Sequence, residues 1–237
     1  MLEHINTKIF ADGADLDEIG GLALDERISG FTTNPTLMRK AGIPDYERFA
    51  HALLEQVREK PISFEVFADD ADEIRRQARL IASWGENVYV KVPVTTTGGE
   101  SLAALVRELS EDGVRVNVTA LMTTAQVEMI ASALANGPSS FVSVFAGRVA
   151  DAGVDPMPIM AGSVEILERT APNAELIWAS PRELLNLVQA DQVGCHVITM
   201  THPLLEKLDL LGKDLDRFSL ETVQMFRRDA VAAAYYI

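Results

Sequence analysis

The chain contains a single cysteine, Cys195, so no intrachain disulfide can form and a cysteine-rich zinc site is excluded. A lone thiol of this kind reads as a small buried apolar residue. Histidine is scarce as well, four in 237 residues, and no HxH or HExxH spacing is present, so no metal is assigned. His4 and His51 read as solvent-facing, and His196 as alternating within a late strand. No apolar run approaches the roughly 20 residues that a membrane span requires, and the first residues lack a basic stretch leading into an apolar one. The expectation is a soluble, cytoplasmic chain without membrane contact. Basic residues are outnumbered: 21 Lys and Arg against 35 Asp and Glu give a net charge of −14, which repels polyanions. With no Lys/Arg run to concentrate positive charge, nucleic acid is excluded as a partner, and any phosphate must be recognised locally. A Gly-rich phosphate loop is missing too. Asp12-Gly13-Ala14-Asp15 follows the first apolar run, where an open doubly wound sheet would carry one. Nor does a Gly/Ser/Pro linker or low-complexity tract divide residues 1–237, which favours one domain.

Apolar residues are plentiful, 48% of the chain, and their arrangement is periodic. Eight short β-branched or apolar runs recur: Lys8 to Asp12, Ile28 to Thr33, Pro61 to Phe67, Asn87 to Val94, Arg115 to Ala120, Phe141 to Ala146, Glu175 to Ser180 and Cys195 to Met200. The stretches between them are amphipathic. Asp69 to Ser83 and Leu102 to Leu109 space their apolar residues three and four apart, the signature of a helix with one buried face. The run Asp69-Asp70-Ala71-Asp72-Glu73 reads as a charged first helical turn. Eight strands alternating with helices predict an α/β fold, a (β/α)8 TIM barrel in a single domain. Ser219 to Ile237 reads as a closing helix whose Ala-Ala-Ala-Tyr-Tyr-Ile tail would cover a barrel end or a neighbouring subunit.

Such barrels carry their chemistry at the C-terminal ends of the strands. Lys91 stands out there. In Val88-Tyr89-Val90-Lys91-Val92-Pro93-Val94, period-2 alternation points it opposite to Val90 and Val92. A barrel interior drives a proton off an unpaired ammonium, and a neutral amine is what attack on a carbonyl needs. The competing reading is a structural ion pair with Asp12 or Glu65. Those two carboxylates lie on different strands and can reach the same mouth, which suits proton transfer. Asp12 reads equally well as a helix N-cap. Thr119 after Val116-Asn117-Val118 can hold a water, or serve simply as a good strand former. Arg148, and Ser180-Pro181-Arg182 at the seventh run, form a phosphate candidate near the last strands, against the alternative that either arginine is a solvated surface charge.

Gly30-Phe31-Thr32-Thr33-Asn34-Pro35-Thr36, Val90-Lys91-Val92-Pro93-Val94-Thr95 and Phe145-Ala146-Gly147-Arg148 together resemble the transaldolase family, in which these segments occur in this order. The resemblance spans Asp12 to Arg182. It implies that Lys91 is the Schiff-base lysine, Asp12 the general acid/base, Asn34 a substrate-binding amide beside Thr33, and that Glu65 and Thr119 position a catalytic water. Ser143 and Phe145 would contact the substrate, and Arg148, Ser180 and Arg182 would bind phosphate. No cofactor is implied. Fructose 6-phosphate aldolases, a small subgroup, have Gln where this chain has Glu65 and Tyr where it has Phe145, so these two positions are similar to true transaldolases. The short chain resembles the small subgroup, which implies a homo-oligomeric ring, a pentamer or a decamer. Pro181 departs from the aromatic residue common between Ser180 and Arg182. The substrates implied are sugar phosphates, with a sulfonated sugar as an alternative head group. Two other classes share parts of this pattern: a non-catalytic sugar-phosphate-binding barrel and a deoxyribose-phosphate aldolase.

Overall fold

The computed structural model describes residues 2–236. Eight parallel strands close into a barrel, each paired with its chain neighbour and the last with the first. They are β1 (Lys8–Asp12), β2 (Ile28–Thr32), β3 (Ile62–Glu65), β4 (Val88–Pro93), β5 (Val116–Leu121), β6 (Ser140–Val144), β7 (Ala174–Trp178) and β8 (Val197–Thr201). Between and after them lie α1 (Leu16–Ala23), α2 (Pro35–Lys40), α3 (Tyr46–Gln56), α4 (Ala71–Ala82), α5 (Ala103–Glu111), α6 (Thr124–Leu134), α7 (Ala146–Asp151), α8 (Met157–Thr170), α9 (Leu185–Gln192), α10 (His202–Leu205) and α11 (Leu215–Ala232). This is the (β/α)8 barrel that the alternating pattern predicts.

Each expected run overlaps one strand, and several differences in bounds have local causes. β3 stops short of Phe67 because the Phe67 and Ala68 amides turn to Gln77 Oε1 instead of a neighbouring strand. β6 ends at Val144, since Phe145 caps α7 and Ala146 begins it. Cys195 lies outside β8, its amide donating to Ala190 O at the end of α9. His196 precedes β8 too, and its Nδ1 accepts from the Leu176 amide at 3.0 Å. The acidic run from Asp69 is a helix start as expected. Asp70 caps α4 by accepting from the amides of Asp72 and Glu73, and Ile74, Ala78 and Ile81 form its buried stripe.

Strand alternation sorts the barrel into an outer apolar layer and a two-storey interior. Outward residues such as Phe31, Phe64, Val90, Val92, Val118 and Val142 join the large core beneath the helices. Inward residues of the lower storey, Phe10, Tyr89, Phe141, Ile177 and Val197, form a separate apolar plug. The Phe10 and Phe141 rings meet edge-on with centroids 5.4 Å apart. Gly30 makes room for this plug, because a Cβ there would lie 2.6 Å from Phe10 Cζ. The plug fills the lower part of the barrel, and the polar inward residues stand above it toward the C-terminal ends of the strands, where barrels of this kind carry their chemistry.

α11 behaves differently from every other long helix. It starts at Leu215, ahead of the expected Ser219, and none of its residues is buried. Phe218, Leu220, Val223, Phe226 and Val231 are exposed along it, as are Tyr235 and Tyr236 beyond it. The helix therefore covers no barrel end by burying against it; Ile237 of the expected tail lies outside the described residues. Among those residues, no helix is long and apolar enough to cross a membrane.

Candidate active site

The upper storey of the interior is polar, and strand register builds it. Asp12 is level with Thr32 on β2, Glu65 with Lys91 across β3 and β4, Lys91 with Asn117 on β5, and Pro93 with Thr119. Lys91 stands two residues above Tyr89, Glu65 above Ser63, Asp12 above Phe10 and Thr119 above Asn117, so period 2 points all four inward over the plug.

Lys91 is only 7% exposed. Its Nζ donates to the Thr33 carbonyl at 2.9 Å and lies 3.2 Å from Glu65 Oε2. The ammonium is thus paired in the resting chain, and Glu65 is its ion-pair partner. The Thr33 hydroxyl is engaged elsewhere, donating to Ser63 O at 3.0 Å, so this threonine faces Lys91 through its backbone. Glu65 is held from behind by α3: Tyr46 Oη accepts from the Glu65 amide at 2.7 Å and donates to its carbonyl at 3.1 Å. Burial pushes the Tyr46 phenol well above its ordinary value, so it stays a neutral strut.

Asp12 accepts from Thr32 Oγ1 at 2.7 Å and from Asn34 Nδ2 at 3.2 and 3.4 Å. Asn34 does two jobs with one amide, since its Oδ1 also caps α2 by accepting from the Leu37 amide at 3.0 Å. Asp12 itself caps no helix; that role after β1 falls to Asp15. Burial raises the Asp12 carboxyl above the ordinary carboxylate value, opposed by the Lys91 charge and by the hydrogen bonds from Thr32 and Asn34, with Glu65 adding to the rise.

Thr119 has a buried hydroxyl without a hydrogen-bond partner among the described residues. The residue after it, Ala120, adopts a φ of 66° where the β5–β6 register slips. A left-handed alanine costs roughly 1–2 kcal/mol, and such strain collects at functional sites. Between the storeys, Ser143 Oγ donates to Asn117 Oδ1 at 2.7 Å and Asn117 Nδ2 to Ser63 Oγ at 2.9 Å. Ser143 therefore spends its proton inside the wall and can offer a ligand only its oxygen.

The β6–β7 side is more open. Arg148 is exposed and lies over the Phe145 ring, 5.2 Å from the centroid, and forms no ion pair among the described residues. Ser180 has a φ of 62°, and its carbonyl approaches Gly147 so closely that a Cβ there would sit 1.6 Å from the oxygen. Only glycine allows β7's end to close on the start of α7 in this way. Arg182 is engaged by Asp151, Nε to Oδ1 at 3.0 Å with a second short contact from Nη2 to Oδ2. Those bonds hold the Asp151 carboxyl below the ordinary carboxylate value.

A family model described as Transaldolase/Fructose-6-phosphate aldolase matches residues 9–235, nearly the whole barrel. The chain belongs to this transaldolase family. It is 38% identical over 202 residues to the "Probable transaldolase" of Dehalococcoides mccartyi, covering 85% of this chain and 89% of that protein. To the "Probable transaldolase" of Herpetosiphon aurantiacus it is 35% identical over 224 residues, 92% of this chain and 96% of the relative. Among solved structures, a dihydrodipicolinate synthase from Rhodopseudomonas palustris superposes with a TM-score of 0.57 at 15% identity, covering 84% of this chain and 71% of that one. A likeness at that identity speaks for the barrel fold alone.

For a transaldolase-family chain, the residues singled out from sequence fall into two groups. Asp12, Asn34, Glu65, Lys91, Thr119 and Ser143 line one polar storey, with Thr33 reaching it through its carbonyl, whereas Phe145, Arg148, Ser180 and Arg182 sit along its β6–β7 rim. Three further residues reach this network without having been singled out for it: Tyr46, Asn117 and Thr199. Period 2 marks Asn117 as inward, but nothing local distinguishes it from an ordinary strand residue.

Proposed function

We propose that this chain is a transaldolase that transfers a dihydroxyacetone unit from a ketose phosphate, fructose 6-phosphate or sedoheptulose 7-phosphate, to an aldose phosphate. The observation that carries the reading is the buried Lys91 Nζ, set between the Thr33 carbonyl and Glu65 above the apolar plug of the barrel. In this reading Lys91 gives up a proton to the neighbouring carboxylates and attacks the ketose carbonyl. Asp12 moves protons as the carbinolamine loses water to form the imine, and Asn34 holds a substrate hydroxyl. Thr119, whose hydroxyl is free of protein partners among the described residues, holds the water through which Glu65 helps break the C3–C4 bond. The enamine stays on Lys91 until an aldose acceptor arrives and the steps reverse. No cofactor takes part.

Glu65 and Phe145 favour transfer over net cleavage, because the aldolase subgroup carries Gln and Tyr there. Arg148, Ser180 and Arg182 would receive the phosphate, with Ser143 and Phe145 along the sugar chain. Arg182 being tied to Asp151 keeps a second head group in view, a sulfonate, which needs one positive charge fewer. The exposed apolar face of α11 supports a homo-oligomer, a pentamer or decamer, in which that face is covered. The single buried thiol, Cys195, suits a reducing cytoplasm.

The test is intact mass after incubation with fructose 6-phosphate and sodium borohydride, beside a Lys91→Ala variant. An added dihydroxyacetone unit on the wild type alone supports the reading. A folded wild type that takes no adduct from this sugar or its 6-sulfonate would leave a barrel that binds without reacting, and an adduct formed only from acetaldehyde would make it a deoxyribose-phosphate type aldolase. Light scattering of the same sample gives the subunit number.

A further inference from the structure

Thr199 lies on β8, level with Phe10, and is only 7% exposed. Its Oγ1 is 2.6 Å from Thr32 Oγ1, which is itself 2.7 Å from Asp12 Oδ1. Thr32, at 3% exposed, is shielded equally well, so water competes little for either hydroxyl. A hydroxyl has one proton. When Asp12 is ionised it can only accept, so the Thr32 proton must point to Asp12 and the Thr199 proton must point to Thr32. Every member of the chain is then satisfied. When Asp12 is protonated and donates to Thr32, the direction reverses, and the Thr199 proton has no acceptor among the described residues. An unmet donor in a buried site is costly, so the chain favours one direction.

That preference acts in a pocket with one charge too many. Lys91 supplies a single cation for two carboxylates, Asp12 and Glu65, and burial together with the Glu65 charge pushes the Asp12 carboxyl toward its protonated form. Glu65 is paired with Lys91 at 3.2 Å, while Asp12 collects the donors from Thr32 and Asn34. We infer that Thr199 is a positioning residue which, through Thr32, holds Asp12 in its ionised, proton-accepting form. The charged groups that act on Asp12 are Lys91 from β4 and Glu65 from β3. From the other elements packed around it, β2 and its loop present the neutral Thr32 and Asn34, and the loop after β1 carries Asp15, spent on capping α1. α10 begins with His202, which faces Glu206 just past its end at 3.7 Å.

The inference deepens the Schiff-base reading, on which the catalytic meaning of Asp12 rests, but its test needs no turnover. The Asp12 carboxyl carbon is titrated by NMR in the ligand-free, aspartate-labelled protein, its resonance assigned by its loss in Asp12→Asn. In Thr199→Val the midpoint moves up by about half a pH unit, and Thr199→Ser restores it. The acid limb of kcat for fructose 6-phosphate moves with it, kcat at pH 6 falling about threefold while KM changes less than twofold. Thr32→Val, which removes the direct donor, moves the midpoint further in the same direction. A folded Thr199→Val that titrates with the wild type overturns the relay. Should Thr199→Val not fold, a wild-type midpoint in Thr32→Val overturns it instead. Because the titration reads Asp12 directly, a failure to trap any adduct on Lys91 leaves this result standing.

Discussion

Around Lys91 the polar groups are already in place: the ammonium bridges the Thr33 carbonyl and Glu65, Glu65 is braced by Tyr46, and Asp12 is held by Thr32 and Asn34. Along β6 and β7 the arrangement is of another kind. Arg148 lies over Phe145 and forms no ion pair among the described residues, and Arg182 is spent on Asp151. The first region is rigid because its groups stand on strands, whose spacing is set by backbone hydrogen bonds; the second depends on long side chains at loop ends, which a ligand can redirect. On the proposed function, chemistry that tolerates little misplacement falls to the first, and recognition of a charged tail, which tolerates more, to the second.

The sharpest way to break this comparison is to remove the group at the centre of the rigid region. Lys91→Ala is expected to lower kcat/KM by at least about 10⁴-fold and abolish borohydride trapping, because no second amine replaces the nucleophile. Retained trapping would move the chemistry elsewhere.

Asp12→Asn comes next, with kcat down by about 10²–10³-fold and KM changed less than about threefold. It carries a stability signature of opposite sign. Since the folded carboxyl lies above its unfolded value, the folded state binds the proton more tightly. Asp12 therefore favours folding most below the unfolded value near 3.8 and loses that contribution as pH rises through the folded one. Asn carries no such loss, so the variant should melt a few degrees higher than wild type at pH 7, with the gap narrowing toward pH 4. Equal melting at both pH values would contradict the rise assigned to burial.

In the floor beneath, Gly30→Ala would push a methyl into the Phe10 ring and is expected to cost about 1–3 kcal/mol in urea unfolding. A neutral outcome would mean that the plug is looser than its edge-on rings indicate.

The smallest effect is expected on the open side. Asp151→Asn frees Arg182 and removes a negative charge, so KM for fructose 6-phosphate should fall about threefold with kcat unchanged, the gain fading at high salt. A rise in KM would show instead that Asp151 pre-orients Arg182, making this side as prearranged as the other.

Much of the barrel was legible in the chain because period-2 and period-3.6 apolar patterns are local. Val88-Tyr89-Val90-Lys91 announces an inward lysine within four residues, and the same alternation exposes Glu65 beside Phe64. The helix from Asp69 was equally readable from its acidic start. Thr199 was not, since Val197-Ile198-Thr199-Met200 is what any buried strand can contain, and its partner Thr32 lies 167 residues away. The Arg182–Asp151 pair spans 31 residues, and α11, amphipathic enough to be a closing helix by pattern, finds nothing on its own barrel to close.

The sequence by itself therefore determined the order of strands and helices, the inward face of each strand and which polar groups stand on those inward faces, because these depend on side-chain period and chemistry within a few residues. Only the tertiary structure decided which carboxylate pairs with Lys91, which hydroxyl bonds Asp12, and that Arg182 is already occupied. Those outcomes depend on barrel closure, which brings β8 beside β1 and sets side chains from distant strands within hydrogen-bond reach.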